Sequence, residues 1–326
     1  MLAYAVRRIL VSVPVLVAST FIVFVLVALA GDPLAELRAR NPPVPQRTLD
    51  LEAQRLNLDE PLLQRYWGWI TGVVQGDFGP SVQSTLQIGP EIAGRFLVTF
   101  RLIALAMLVA LALAVLVGVV SAVKQYSGTD YTATFAGFLF LSMPSFWFAI
   151  LLKEAGIGFN NAVGSQVLFT IGDSSVFVAG GPWAELTDVL GHMILPTISL
   201  ALLSFAAWSR FQRASMLEVL GSDYVRLARA KGLRRGQVMT RHALRTALIP
   251  LTTVTALDLG AIISGAVVTE TVFQWRGAGS FLLESIERDD VYAVSAWLLI
   301  SATVIILLSL VADLLYAVLD PRIRYA

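Results

Sequence analysis

Three lysines, two histidines and two carboxylates set within apolar runs are the residues of this sequence whose types and places could carry chemistry. A phosphate-cradling P-loop needs a lysine followed by serine or threonine, because lysine and backbone amides hold the phosphates while the hydroxyl holds magnesium. Lys124, Lys153 and Lys231 are followed by Gln125, Glu154 and Gly232, so no P-loop is present. A zinc-protease helix needs two histidines four residues apart, whereas His192 and His242 stand fifty apart. No serine sits in a G-x-S-x-G elbow, and with no cysteine there is neither thiolate chemistry nor a disulfide framework. The chain alone is therefore not expected to be an enzyme, and no metal site or cofactor of its own is expected.

Asp258 and Asp313 fall in long apolar runs, where an ionisable group is costly and by default a functional hypothesis. A paired aspartyl protease or a proton relay would use both, but Asp313 lies a few residues from the end of its run, within reach of water. Asp258 lies deeper. It could line a substrate path, meet a partner subunit, or make a hydrogen bond that fixes helix packing.

The elements that must position these groups follow from composition. Of 326 residues, 56% are hydrophobic and 14% charged, against about a quarter charged in soluble domains; the mean hydropathy is +0.73. A bilayer core of about 30 Å needs roughly 20 apolar helical residues, and six such runs occur, at 9–30, 97–121, 131–152, 192–213, 247–269 and 293–317. Backbone groups in lipid must be satisfied within the segment, so all six are expected to be helices of an all-α integral membrane protein. The first run, behind Arg7 and Arg8 and ending in Ala28-Leu29-Ala30, imitates a secretory signal but exceeds the usual apolar core of about 7–15 residues, and is expected to be retained. Pro14, Pro144 and Pro196 interrupt spans.

Lysine and arginine are enriched in cytoplasmic loops. With both termini inside, fourteen of them fall on the cytoplasmic side and nine outside, while four acidic residues fall inside and 17 outside. The expected organisation is an N-terminal span with an outer segment, 1–96, followed by a five-span core, 97–326. The outer segment holds a proline-rich turn at Asn41–Pro45, a short helix over Leu49–Leu58 and an amphipathic helix over Leu62–Val74, whose Trp67 and Trp69 suit the headgroup layer. Arg101, about 6 Å inside the second span at helical rise, is expected to snorkel outward.

The loop at 214–246 is the most basic part of the chain. Asp223 can cap a short helix whose Val225, Leu227 and Ala228 face one way; Gly232 permits a left-handed turn that ends it; and a second helical piece, Gln237–Leu244, leads toward Pro250. Generic physics gives a basic helix-turn-helix on the inner membrane surface, or charge that merely sets topology.

The run Asp223-Tyr-Val-Arg-Leu-Ala-Arg-Ala-Lys-Gly-Leu233, followed by Arg241-His-Ala-Leu-Arg-Thr-Ala-Leu-Ile-Pro250, resembles the coupling loop of ABC importer permeases of the dipeptide/oligopeptide family, B-type membrane subunit. The likeness extends through Gly31-Asp32-Pro33, Gly76-Asp77-Phe78-Gly79, Ser142-Met-Pro-Ser-Phe-Trp147, Leu195-Pro196, Glu270-Thr-Val-Phe273 with Gly277 and Gly279, and Leu319-Asp-Pro-Arg322. It departs where the general loop begins Glu-Ala-Ala and this chain has Arg226, Leu227 and Ala228. Phe96 stands where the family commonly has proline, so the start of the second span is expected to be less kinked. The segment Lys153–Trp183 is longer than in the simplest members and could touch a substrate-binding protein.

The resemblance implies the type I ABC importer permease fold. It also implies a second homologous permease, separate ABC ATPase subunits that bind ATP and magnesium, an extracytoplasmic binding protein, and residence in a bacterial or archaeal cytoplasmic membrane. Peptides are the implied substrate, with nickel chelates or other small solutes as the alternative. The residues implied to couple to the ATPase are Asp223, Tyr224, Arg226, Ala228, Arg229, Ala230, Lys231, Gly232 and Leu233, with Ala228 and Ala230 allowing close approach. Asp258 is the candidate for the path or a subunit interface. An ion-driven carrier using Asp258 is the rival; the sequence shows no internal repeat of the kind many such carriers have.

Overall fold

The structure, a computed structural model, describes the backbone of residues 2–319 and the side chains of residues 6–311; Asp313 and the closing Leu319-Asp-Pro-Arg322 run lie outside the described side chains. In chain order the helices are α1 (Leu2–Ala30), α2 (Ala35–Arg38), α3 (Gln46–Arg55), α4 (Leu62–Val74), α5 (Ile88–Val123), α6 (Gly128–Ser142) and α7 (Ser145–Val163). They continue with α8 (Pro182–Leu220), α9 (Asp223–Ala230), α10 (Arg235–Gln237), a π-helical turn (Val238–Leu244), α11 (Arg245–Leu257), α12 (Leu259–Phe273), α13 (Ala278–Glu287) and α14 (Val291–Leu319). Among the described residues the one extended pairing is an isolated bridge between Pro80 and Gln87.

Four of the expected spans, α1, α5, α8 and α14, are single helices long and apolar enough to cross a bilayer. The other two are bent pairs: α6 and α7 meet at 107°, and α11 and α12 at 54°, giving six crossings when each pair is one span. The break in the third span has a local cause. Pro144 pushes its predecessor out of the helical region, and Met143 is extended at φ −82, ψ 130. Pro14 and Pro196 do not interrupt their spans as expected; each lies inside one continuous helix.

Two compact units are present, Met1–Thr99 with Arg276–Leu307, and Phe100–Trp275 with Leu308–Ala326. The first is built around Phe24, Tyr66, Trp69 and Tyr292, all buried. Tyr66 meets Thr20 at 2.9 Å and donates to the Val17 carbonyl at 2.8 Å, which satisfies a hydroxyl otherwise stranded beside a lipid-crossing helix. Helix α4 has the expected bounds, but its two tryptophans part company: Trp69 is buried and donates to the Phe78 carbonyl at 3.1 Å, while Trp67 stays exposed. Asp290 closes this unit, accepting from Ser81 Oγ at 2.6 Å and from the Val82 and Ala293 amides. Burial raises its carboxyl above the ordinary range, and those hydrogen bonds with the nearby Arg55 oppose the rise. A Cβ on Gly31 would lie within 2.2 Å of the Asp289 carboxylate, which would have to swing aside.

In the second unit α8 is the axis, packing against α6, α7, α11 and α12. Small residues let membrane helices approach closely, and a Cβ on Gly118 of α5 would fall 2.8 Å from the Gln212 side chain of α8. Arg101 does not simply snorkel. Its guanidinium lies 5.3 Å from the centre of the Trp275 ring and pairs with Asp173 at 3.1 Å, so the segment after α7 holds it. His192 is stacked on Phe169 at 4.0 Å and bonded to the Asp188 carbonyl, a packing role.

Candidate functional site

The basic loop forms α9, a turn, and then α10 running through the π-helical turn into α11. Alternation of apolar and charged residues makes α9 two-faced. Val225 and Ala228 are buried in a cluster with Met216, Val219, Val238, Ala243 and Ala247. The opposite face is open: Asp223, Tyr224, Arg226, Leu227, Arg229 and Ala230 are all exposed, as are Lys231, Gly232 and Leu233 in the turn.

Three sequence expectations change here. Asp223 is the first helical residue rather than the cap, and its carboxylate pairs with Arg226; Ser222 precedes the helix without a capping bond. Leu227 does not join Val225 and Ala228, because it lies two positions from one and one from the other, and residues so spaced do not share a helix face; it is 55% exposed. Ala228 is turned toward its own chain, whereas Ala230 is exposed. Gly232 behaves as expected, at φ +78, and terminates α9 in a conformation that a side chain would strain.

The cluster beneath α9 ties it to the spans, since Met216 and Val219 end α8 while Ala243 and Ala247 lead into α11. A second tie was not read from the sequence. Arg213 of α8 donates from Nε to Asp130 Oδ1 and from Nη2 to Oδ2, each at 2.7 Å; the Tyr126 amide and the Ser121 hydroxyl complete the carboxylate's bonds. The signal available was position: Asp130 and Arg213 flank or end predicted spans on the same side.

Asp258 sits at the α11/α12 break, 13 residues from Arg245 and 15 from Phe273, hence about 20 Å from either end of the bent span at helical rise. Its Oδ2 accepts from Trp208 Nε1 of α8 at 2.7 Å. The side chain remains half-exposed. The packing hydrogen bond therefore exists, and it uses one carboxylate oxygen. Its distance from α9 in sequence and along the span separates Asp258 from the loop residues.

The pattern of a family described as binding-protein-dependent transport system inner membrane component matches residues 114–325, and that of its N-terminal region matches residues 1–86. The chain belongs to this family. It is a multi-pass membrane permease subunit of a binding-protein-dependent transport system. Its sequence is 40% identical to the oligopeptide transport system permease protein OppB of Mycobacterium tuberculosis over 99% of both chains. It is 38% identical to the dipeptide transport system permease protein DppB of Escherichia coli K12 over 100% of this chain and 99% of that one, and 35% identical to the oligopeptide transport system permease protein AppB of Bacillus subtilis over the full length of both.

Proposed function

We propose that this chain forms half of a peptide translocation path in an ATP-driven importer, pairing with a second homologous permease above two ATPase subunits and below an extracytoplasmic binding protein. ATP and magnesium are held by the ATPase subunits, and this chain carries no cofactor of its own. Its termini lie in the cytoplasm, as the lysine and arginine distribution favours. Asp258 faces the path at the break in the fifth span.

The observation that carries the coupling role is the two-faced α9. Its inner face is packed on the ends of α8 and α11, and its outer face offers Tyr224, Leu227 and three cations to a partner. A helix held this way transmits a push from below to two spans as a rigid body. Exposed apolar residues ringed by charge are characteristic of interaction surfaces. The peptide reading rests on the full-length likeness to OppB, DppB and AppB.

Reconstitution of the complete complex in proteoliposomes tests this. Labelled di- or oligopeptide uptake is expected to require ATP and the binding protein, to persist when ionophores collapse proton and sodium gradients, and to fall with Gly232→Leu while the complex stays assembled. Uptake that survives ATP depletion but fails with ionophore would make the chain an ion-driven carrier.

A further inference from the structure

Beside the end of α5, a groove of about 360 Å³ is lined by Val119, Val120, Val123 and Met239, with Lys124 and Arg235 at the same place. The lining is almost wholly apolar apart from these two cations. Among the described residues neither Lys124 nor Arg235 is held in an ion pair, so both charges are available to a ligand. Val120 borders a second groove of about 560 Å³, which runs between α5 and α6 past Leu116 and Ala136 and is also largely apolar.

We propose that this is a binding site for one anionic diacyl phospholipid. The phosphate lies between Lys124 and Arg235, and the two acyl chains run along the grooves on either side of Val120. Position supports this occupant, because α5 is a membrane-crossing helix and Lys124 is the first residue beyond it, at headgroup level. Chemistry supports it too: a paired cationic mouth over apolar walls suits a molecule with an anionic head and hydrocarbon tails. Shape gives a third argument, since Val120 lines both grooves, so they adjoin there and a forked ligand can reach both. A free phosphate would leave both grooves empty. The inference does not depend on what the permease carries. Met239 adjoins Val238, which packs in the cluster under α9, so the lipid would lie against the support of the coupling helix.

The assembled transporter, purified in detergent, would be titrated with dioleoyl phosphatidylglycerol or dioleoyl phosphatidylcholine, and bound lipids counted by native mass spectrometry. Each cation near a headgroup is worth about fivefold in affinity. Lys124→Gln with Arg235→Gln is therefore expected to weaken phosphatidylglycerol binding about thirtyfold and phosphatidylcholine binding much less, because choline already offsets the charge of its phosphate. Val120→Trp, whose ring would fill the space where the two grooves adjoin, is expected to weaken both. Phosphatidylglycerol binding unaffected by the double glutamine variant in an intact complex would overturn the site. So would efficient crosslinking of a Val120→Cys variant to the partner permease or an ATPase subunit, since a protein would then occupy the groove.

Discussion

Replacing Leu227 and Val225 of α9 separately should divide the helix into two functions that two apolar residues so close in sequence conceal. Leu227 is 55% exposed and Val225 wholly buried. Full burial of a leucine side chain is worth about 1.5–3 kcal/mol, so covering the exposed part of Leu227 against an ATPase subunit contributes about 1–1.5 kcal/mol. Leu227→Ala is therefore expected to weaken ATPase binding by about five- to tenfold and to leave the permease's own stability unchanged. Val225→Ala removes two buried carbons and leaves a cavity, a cost of about 2 kcal/mol in the packing of the loop on the spans. Its effect should appear first as a lowered thermal transition of the permease pair. The assay is titration of ATPase subunits onto the permease pair in nanodiscs, with melting followed on the same samples. Equal ATPase affinity for wild type and Leu227→Ala would refute the outward-facing role of α9. Weakened ATPase binding by Val225→Ala with no change in melting would refute the assignment of its two faces.

Asp130→Asn should destabilise the second unit by about 3 kcal/mol, because it leaves the Arg213 guanidinium without its carboxylate; a double variant with Arg213→Gln should recover part of that loss in a melting experiment, and full additivity would sink the pairing. Asp258→Asn keeps an oxygen for Trp208 but removes the charge, so uptake of peptides with a free amino terminus should fall more than uptake of N-acetylated ones; equal effects on both would assign Asp258 to packing alone. Asp290 is raised by burial above an unfolded value of about 3.9, so its linked contribution favours the fold below that pH and is lost as pH rises through the folded value. Measured as melting temperature, wild type relative to Asp290→Asn should therefore decline from about pH 4 upward, and a rise over that range would contradict the burial argument.

The spans were legible because lipid enforces a single rule, a run of apolar residues long enough to cross, and α1, α5, α8 and α14 obey it without tertiary help. The breaks were less so. Pro144 and Pro196 look alike in sequence, yet Met143 turns extended before the first while α8 continues as one helix through the second. In the basic loop, the short helix and its Gly232 turn were legible and facing was not: whether Leu227 or Ala228 turned inward depends on where Met216 and Ala243 lie, which no local pattern states. Asp130 with Arg213, and Asp258 with Trp208, were hidden for the same reason, since their partners are 83 and 50 residues away.

These two distant contacts have a joint consequence for how movement passes through the protein. Both end on α8, one near its loop end and the other at the level of the α11/α12 break. The cluster beneath α9 ends on α8 as well. If α9 couples as proposed, its displacement would reach α8 directly through Met216 and Val219, pass to α6 through Arg213 and Asp130, and reach the bend of the fifth span through Trp208 and Asp258. Trp208→Phe removes the last of these links while keeping most of the ring volume. ATP hydrolysis stimulated by loaded binding protein should persist in this variant while peptide delivered per ATP falls. An unchanged ratio would mean that the bend follows α11 alone and that the Trp208 hydrogen bond only satisfies a carboxylate in the membrane.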